Sequence, residues 1–360
     1  MATAGRLPRL LNTLAALFIV LAGLKIASSI LLPLLFAVFL SIMTLPWVAK
    51  LKSLGIPSVG AILFVVAICF SALVGASYLL VTSVGQLIEE LPRYQQPLQD
   101  LVRDLSAQAK EYGVPTEEIQ VSDYLNPGYL MGVVGQTVNV LVQSIAYIVI
   151  VTITMSFILL EAAEVSRKLN IAFGAETADK ALVGALASGG GQVQRYLVLK
   201  TLVSLTTGAL AAMWCMLLGV DFPILWGIVA FILNYIPSVG SIIASIPPVT
   251  LSLILFGPQT ALMMAAGYLA INVSLGNIIE PRLLGKSLGL SPLIVFLSLL
   301  FWGWMWGPVG MLFSVPMTVI AKIALDNYED TRWLGVLLGP VTVRSQRDHE
   351  GQTPEPIPSA

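Results

Sequence analysis

Apolar and polar residues alternate along this chain in long blocks, not residue by residue. The first apolar run extends from Leu10 to Val48. One bilayer crossing takes about 20 residues, so this run predicts two spans, with Ser28, Ser29 and Pro33 marking the turn. The run is too long for a cleaved signal peptide. A third span is expected over Ser58 to Val81, followed by a polar segment from Thr82 to Leu130. A fourth span is expected over Met131 to Leu160, a fifth over Tyr196 to Leu218 and a sixth over residues 259–279. Between the fourth and fifth lies a polar, Gly-rich stretch in which Gly189-Gly190-Gly191 predicts a break.

Two further apolar stretches, 222–256 and 290–325, are each too long for one span and are interrupted in the middle. Pro237 and Gly240 interrupt the first; Gly307, Pro308 and Gly310 interrupt the second. Each predicts a helical hairpin, either two full crossings or a re-entrant pair. The fold class is therefore an all-α integral membrane protein with about six full transmembrane helices and two Pro/Gly-broken hairpins. The expected regions are a three-span part (1–81), an extracytoplasmic amphipathic helical segment (82–130), a transport core (131–343) and a disordered tail (344–360).

The polar segment carries its own pattern. Val84, Leu87, Leu91, Tyr94, Leu98, Leu101 and Leu105 alternate at spacings of three and four, a heptad stripe. Such a stripe has to be covered. It either packs on the membrane or on its own subunit, or it forms a subunit contact in a homo-oligomer. Pro92 and Pro97 argue against one straight coiled coil.

Composition narrows the class further. Charged residues make up 11% of the chain, against about 25% in an ordinary globular domain, and the mean hydropathy is +0.87. Too few charges are present to clothe a water-soluble surface, which excludes a soluble enzyme, a nucleic-acid binder and a disordered chain. Net charge is −1, the one histidine is His349 in a polar tail, and the two cysteines, Cys69 and Cys215, lie in apolar runs. No metal site, disulfide framework or cofactor is expected. No Walker, GxSxG or HExxH motif occurs, so neither a nucleotide-driven pump nor a hydrolase is indicated. With the N-terminus in the cytoplasm, 14 of the 19 basic residues fall on the cytoplasmic side, so both termini are assigned there.

The two broken stretches resemble one another. Trp226-Gly227, Val239-Gly240 and Ser245-Ile246-Pro247 recur in order as Trp302-Gly303, Val309-Gly310 and Ser314-Val315-Pro316. Inside a bilayer every backbone polar group must be satisfied, so broken helices survive only within protein or beside a water-filled cavity. Paired interruptions of this kind point to a transporter site. The residues expected to line a substrate path are Asn234, Pro237, Ser238, Gly240 and Ser241 at the first break, and Pro308, Gly310 and Ser314 at the second. Between the hairpins, Asn272, Asn277 and Glu280 fall on one arc when counted at 100° per residue, with Arg282 beyond them. Pro281 predicts that the helix ends at Glu280. That carboxylate then needs a partner, for which Arg282, Lys286 and Lys200 are candidates. It forms either a structural ion pair at the interface or a gate or coupling group. Lys200 can also snorkel to the cytoplasmic face. Thr201, Ser204, Thr206 and Thr207 are expected as packing contacts between helices, and Asp221 as the cap of the helix that follows it.

Several runs together resemble the autoinducer-2 exporter family of bacterial membrane proteins. They are Tyr196-Leu197-Val198-Leu199-Lys200-Thr201, Asn234-Tyr235-Ile236-Pro237 with Gly240, Asn277 through Arg282, and Gly307-Pro308-Val309-Gly310 through Pro316. The resemblance extends from about residue 10 to 338 and is densest from 190 to 325. It implies an inner-membrane permease for autoinducer-2, a small furanone-like sugar derivative. The family also includes sodium/proton antiporters, so it leaves the substrate open. A cation/proton antiporter using Glu280 and a non-transporting oligomeric scaffold are the rival readings. The expected partners are a small-molecule substrate, the lipid bilayer and further copies of the chain, with no nucleic acid.

Overall fold

The computed structural model describes residues 6–111, 143–162, 164, 168, 180–237, 239–284, 289–327 and 331–339. The expectations for 112–142, Ser238, Lys286 and the tail from 344 onward lie outside these residues. Among the described residues the regular structure is entirely helical. Helices α1 (Arg6–Ile26) and α2 (Ser28–Ser53) meet at Ala27. The turn therefore precedes the serines, and Pro33 lies inside α2.

Helix α3 (Ser58–Glu90) does not stop at Val81 but carries the third span directly into the polar segment. A short 3₁₀ turn, Leu91–Tyr94, contains Pro92 and leads into α4 (Gln95–Glu111). Helix α5 covers Gln143–Ala162. Helix α6 (Lys180–Leu217) is unbroken at Gly189-Gly190-Gly191. Three glycines weaken a helix only by the loss of side-chain packing and added backbone entropy, and the turns on both sides carry it across. Among the described residues six helices are long and apolar enough to cross a membrane: α2, the helix beginning at Ser58, α5, α6, the helix beginning at Pro258 and the helix beginning at Pro292.

The first interrupted stretch forms α7 (Pro223–Leu233) and α8 (Gly240–Phe256) around a non-helical tip. Pro223 opens α7 at its first position, where its missing N–H costs nothing. Helix α9 (Pro258–Asn272) continues as a π-helix over Val273–Ile279 and then as α10 (Glu280–Leu284). The helix thus runs past Glu280, contrary to the expectation from Pro281. The wider winding carries the chain into the proline, and Glu280 keeps helical angles. It also voids the 100° count that put Asn272, Asn277 and Glu280 on one arc, because a π-helix bonds i to i+5.

The second stretch forms α11 (Pro292–Leu312), α12 (Ser314–Asn327) and α13 (Arg332–Leu338). Helical geometry inside α11 fails at Trp306 and at Gly307, whose φ of +65° suits glycine alone. The chain turns again at Phe313.

Helix α6 is the spine. Gly208 on α6 and Gly227 on α7 face each other so closely that a Cβ on either would meet the other's carbonyl oxygen, at 2.6 and 2.8 Å. Small residues at a membrane helix contact permit this approach. Around that contact, Ala211, Cys215, Leu225, Ala230, Met264 and Tyr268 form a buried cluster joining α6, α7 and α9. On another side of α6, Val193, Tyr196 and Leu197 pack with Phe39 of α2 and with Phe313, Val315 and Val319 of the second stretch. The Phe39 and Phe313 rings stack at 4.7 Å.

Candidate functional site

One face of α6 carries Lys200, Thr201 and Ser204, at positions i, i+1 and i+4, and each meets a partner from another element. The Lys200 ammonium donates to both oxygens of Glu280, at 2.7 and 2.9 Å. The Tyr235 hydroxyl donates to Thr201 Oγ1 at 2.7 Å, and Thr201 in turn donates to the Leu197 carbonyl at 2.7 Å. Asn234 Nδ2 donates to Ser204 Oγ at 3.0 Å. The site is closed. Lys200 is 3% exposed, Ser204 0% and Asn234 7%.

Local sequence explains the arrangement. Helix α7 stops winding after Leu233, so the consecutive side chains of Asn234 and Tyr235 both reach α6 instead of diverging as they would on a continuing helix. The tip closes tightly behind them. A Cβ on Gly240 would lie 1.7 Å from the Leu233 carbonyl oxygen and 3.0 Å from the Ile236 Cβ. The second stretch repeats this geometry, with a Cβ on Gly310 falling 2.0 Å from the Trp302 carbonyl oxygen and 3.1 Å from the Trp306 Cβ. In both, the glycine sits four residues after the side chain it would strike, and only a residue without a Cβ lets the backbone double back so closely.

Electrostatically the site is a buried, neutral pair beside a row of neutral hydroxyl and amide groups. Two charges taken out of water are held only by close, bidentate hydrogen bonding, and ionisable groups within a membrane span mark functional sites by default. Of the partners foreseen for Glu280, Lys200 is the one that meets it among the described residues. Arg282 is exposed and makes no ion pair among the described residues. Lys200 does not snorkel to the surface.

The other residues named from sequence are distributed differently. Pro237 and Ser241 flank the first tip and are half-buried; Asn272 is half-buried and Asn277 exposed. Pro308 is exposed, while Gly310 and Ser314 are buried. The Ser314 hydroxyl is used within its own segment, donating to the Met311 carbonyl at 2.8 Å. The structure therefore gathers Asn234, Lys200 and Glu280 into one site and leaves Pro308, Gly310 and Ser314 in a separate tip. That tip's return helix packs against α6 one turn before Lys200.

Thr201, Ser204 and Tyr235 belong to the gathered set although none was expected to line the path. Thr201 and Tyr235 lie inside the runs that carry the family resemblance, and Ser204 stands one turn after Lys200 on the same helix. Asp221 does not cap α7, which starts without a side-chain cap. Its carboxylate accepts from the Tyr94 hydroxyl at 2.9 Å, and its carbonyl accepts from Trp226 Nε1 at 2.8 Å. The first part of the heptad stripe, Val84, Leu87, Leu91 and Tyr94, packs into the α6–α7 cluster of the same chain.

Comparison with known proteins places these features in context. The description of the AI-2E family transporter matches residues 14–330. The AI-2 transport protein TqsA of Escherichia coli (strain K12) is 36% identical over 327 residues, covering 90% of this chain and 94% of that protein. A putative transport protein of Haemophilus influenzae is 35% identical, covering 93% and 97%. The putative transport protein YhhT of Escherichia coli (strain K12) is 32% identical, covering 94% and 96%.

Proposed function

The chain belongs to the AI-2E transporter family and is a multi-pass membrane transporter, and from that premise we propose that it exports a small, polar, uncharged metabolite, autoinducer-2, across the bacterial inner membrane. The observation that carries this reading is the chemistry of the closed site. Its charges among the described residues, Lys200 and Glu280, neutralise each other, and what remains are hydroxyl and amide groups suited to a hydroxylated neutral cargo. The relative TqsA is an AI-2 transport protein, which points the same way.

In this reading the first interrupted stretch is a re-entrant hairpin. Helices of 11 and 17 residues reach about 16 and 25 Å, less than the roughly 30 Å apolar thickness of a bilayer. Both termini lie in the cytoplasm, as the distribution of basic residues favours. Cargo passes between the first tip and α6, along Asn234, Pro237, Gly240 and Ser241 and the face of Asn272, Asn277 and Glu280, with the tip at Pro308, Gly310 and Ser314 closing the path from the other side. Copies of the chain assemble into a homo-oligomer.

One observation favours a second reading, sodium/proton antiport: a carboxylate held by a buried ammonium can exchange that partner for a cation. Flux into proteoliposomes separates the two. Labelled autoinducer-2 is expected to enter protein-containing vesicles and not empty ones, whether or not sodium is present. Sodium entry driven by a proton gradient, with no autoinducer-2 flux, would overturn the proposal in favour of antiport.

A further inference from the structure

The row of hydrogen bonds between α6 and the first tip has a direction. Thr201 spends its own proton on the Leu197 carbonyl, so towards the tip its oxygen can only accept. Ser204 likewise accepts from Asn234. Helix α6 thus presents two acceptor oxygens, three residues apart on one face, a spacing that places their Cβ atoms about 5–6 Å from each other. Both are filled from the same source, by donors on two consecutive residues of the tip. Buried acceptors in a membrane protein must have a partner, and no solvent reaches Ser204.

We propose that Asn234 and Tyr235 stand in for the cargo: the tip occupies its own transport site, and Thr201 and Ser204 are the residues that bind a neutral molecule carrying neighbouring hydroxyl groups. This deepens the transport reading and rests on it. Cargo and tip are competitors for the same two oxygens. A diol donates two hydrogen bonds as the phenol and the amide leave, so both oxygens on α6 stay satisfied, while the freed phenol and amide donate to the cargo's own oxygens or to water admitted with it. The Lys200–Glu280 pair, on the same face, stays closed during the exchange and keeps the site neutral. A molecule with a single hydroxyl fills one oxygen only and leaves the other bare, which is how the site selects against it.

Competition gives a sign that a purely structural contact does not. Tyr235→Phe removes one internal competitor and keeps the ring, which packs edge-on to Phe231 at 5.7 Å. Its KM for autoinducer-2 in proteoliposome flux is expected to fall about three- to tenfold, the worth of one hydrogen bond. Thr201→Val removes the acceptor at nearly constant shape, and its KM is expected to rise by about the same factor. If Tyr235→Phe raises KM, or if neither variant changes it, the proposal is overturned. A wild-type protein that carries no autoinducer-2 would defeat the cargo assignment alone. The site itself is then tested by thermal stabilisation of the purified protein with ribose, a neutral pentose with neighbouring hydroxyls. A shift that grows in Tyr235→Phe and disappears in Thr201→Val supports the self-occupied site; no shift in wild type or Tyr235→Phe overturns it.

Discussion

At the scale of single residues, the Lys200–Glu280 pair governs the energetics of the site. The two side chains are 4% and 16% exposed, so removing one strands the other in a medium that cannot solvate it. Lys200→Met alone is expected to destabilise the protein by about 3–5 kcal/mol. Lys200→Met combined with Glu280→Leu replaces the pair with apolar groups of similar size and is expected to restore most of that stability. Thermal unfolding of both variants in the same detergent measures the difference. A double variant no more stable than the single one would show that the pair is not the source of the loss. Sequence named three partners for Glu280 and could not choose among them. Arg282 is nearest along the chain, but the choice depends on how α6 packs against α10, which no local pattern records.

At the scale of elements, interruption was more legible than continuity. The two tips were announced by Pro237 with Gly240 and by Gly307 with Pro308, because proline and glycine change backbone freedom locally, whatever surrounds them. The triple glycine of α6 gave the same local signal, yet the helix continues. Gly190 and Gly191 have no neighbour within 4 Å where a Cβ would stand, so nothing there exploits their freedom. Gly240 and Gly310 are the reverse case, with a carbonyl oxygen at 1.7 and 2.0 Å from that point. Gly240→Ala and Gly310→Ala are each expected to force the tip open, cost at least about 1–3 kcal/mol and abolish flux. Gly190→Ala and Gly191→Ala are expected to be neutral, or to stabilise α6 by up to about 1 kcal/mol. Melting temperature and proteoliposome flux of the four variants check the contrast; four equal outcomes would mean that the close approaches are not what the glycines are for. The π winding at Val273–Ile279 had no sequence signature beyond Pro281, which is why the helical-wheel arc of Asn272, Asn277 and Glu280 was misplaced.

At the scale of the whole molecule, the heptad stripe divides into two parts. Val84, Leu87, Leu91 and Tyr94 are consumed within the chain, where they join the α6–α7 cluster and where Tyr94 holds Asp221 at the entrance to the first stretch. Leu98 and Leu101 of α4 continue the same pattern but are not part of that cluster and remain half-exposed. A repeating pattern records only that a face is covered, not by which chain, so sequence left the two coverings open; the packing assigns the first part to this chain, while α4 touches α8 of the same chain and still leaves Leu98 and Leu101 half-exposed, with room for a neighbouring copy. The proposed homo-oligomer therefore uses α4, and the two halves of the stripe should fail differently. Leu98→Asp with Leu101→Asp is expected to dissociate the oligomer in mild detergent while the monomer keeps its melting temperature to within a few degrees. Leu91→Asp buries a charge in the chain's own core and is expected to lower stability by several kcal/mol whatever the assembly state. Native mass spectrometry and thermal unfolding read the two effects separately. An unchanged oligomer in the Leu98, Leu101 double variant would place the contact elsewhere and leave α4 lying on the membrane surface.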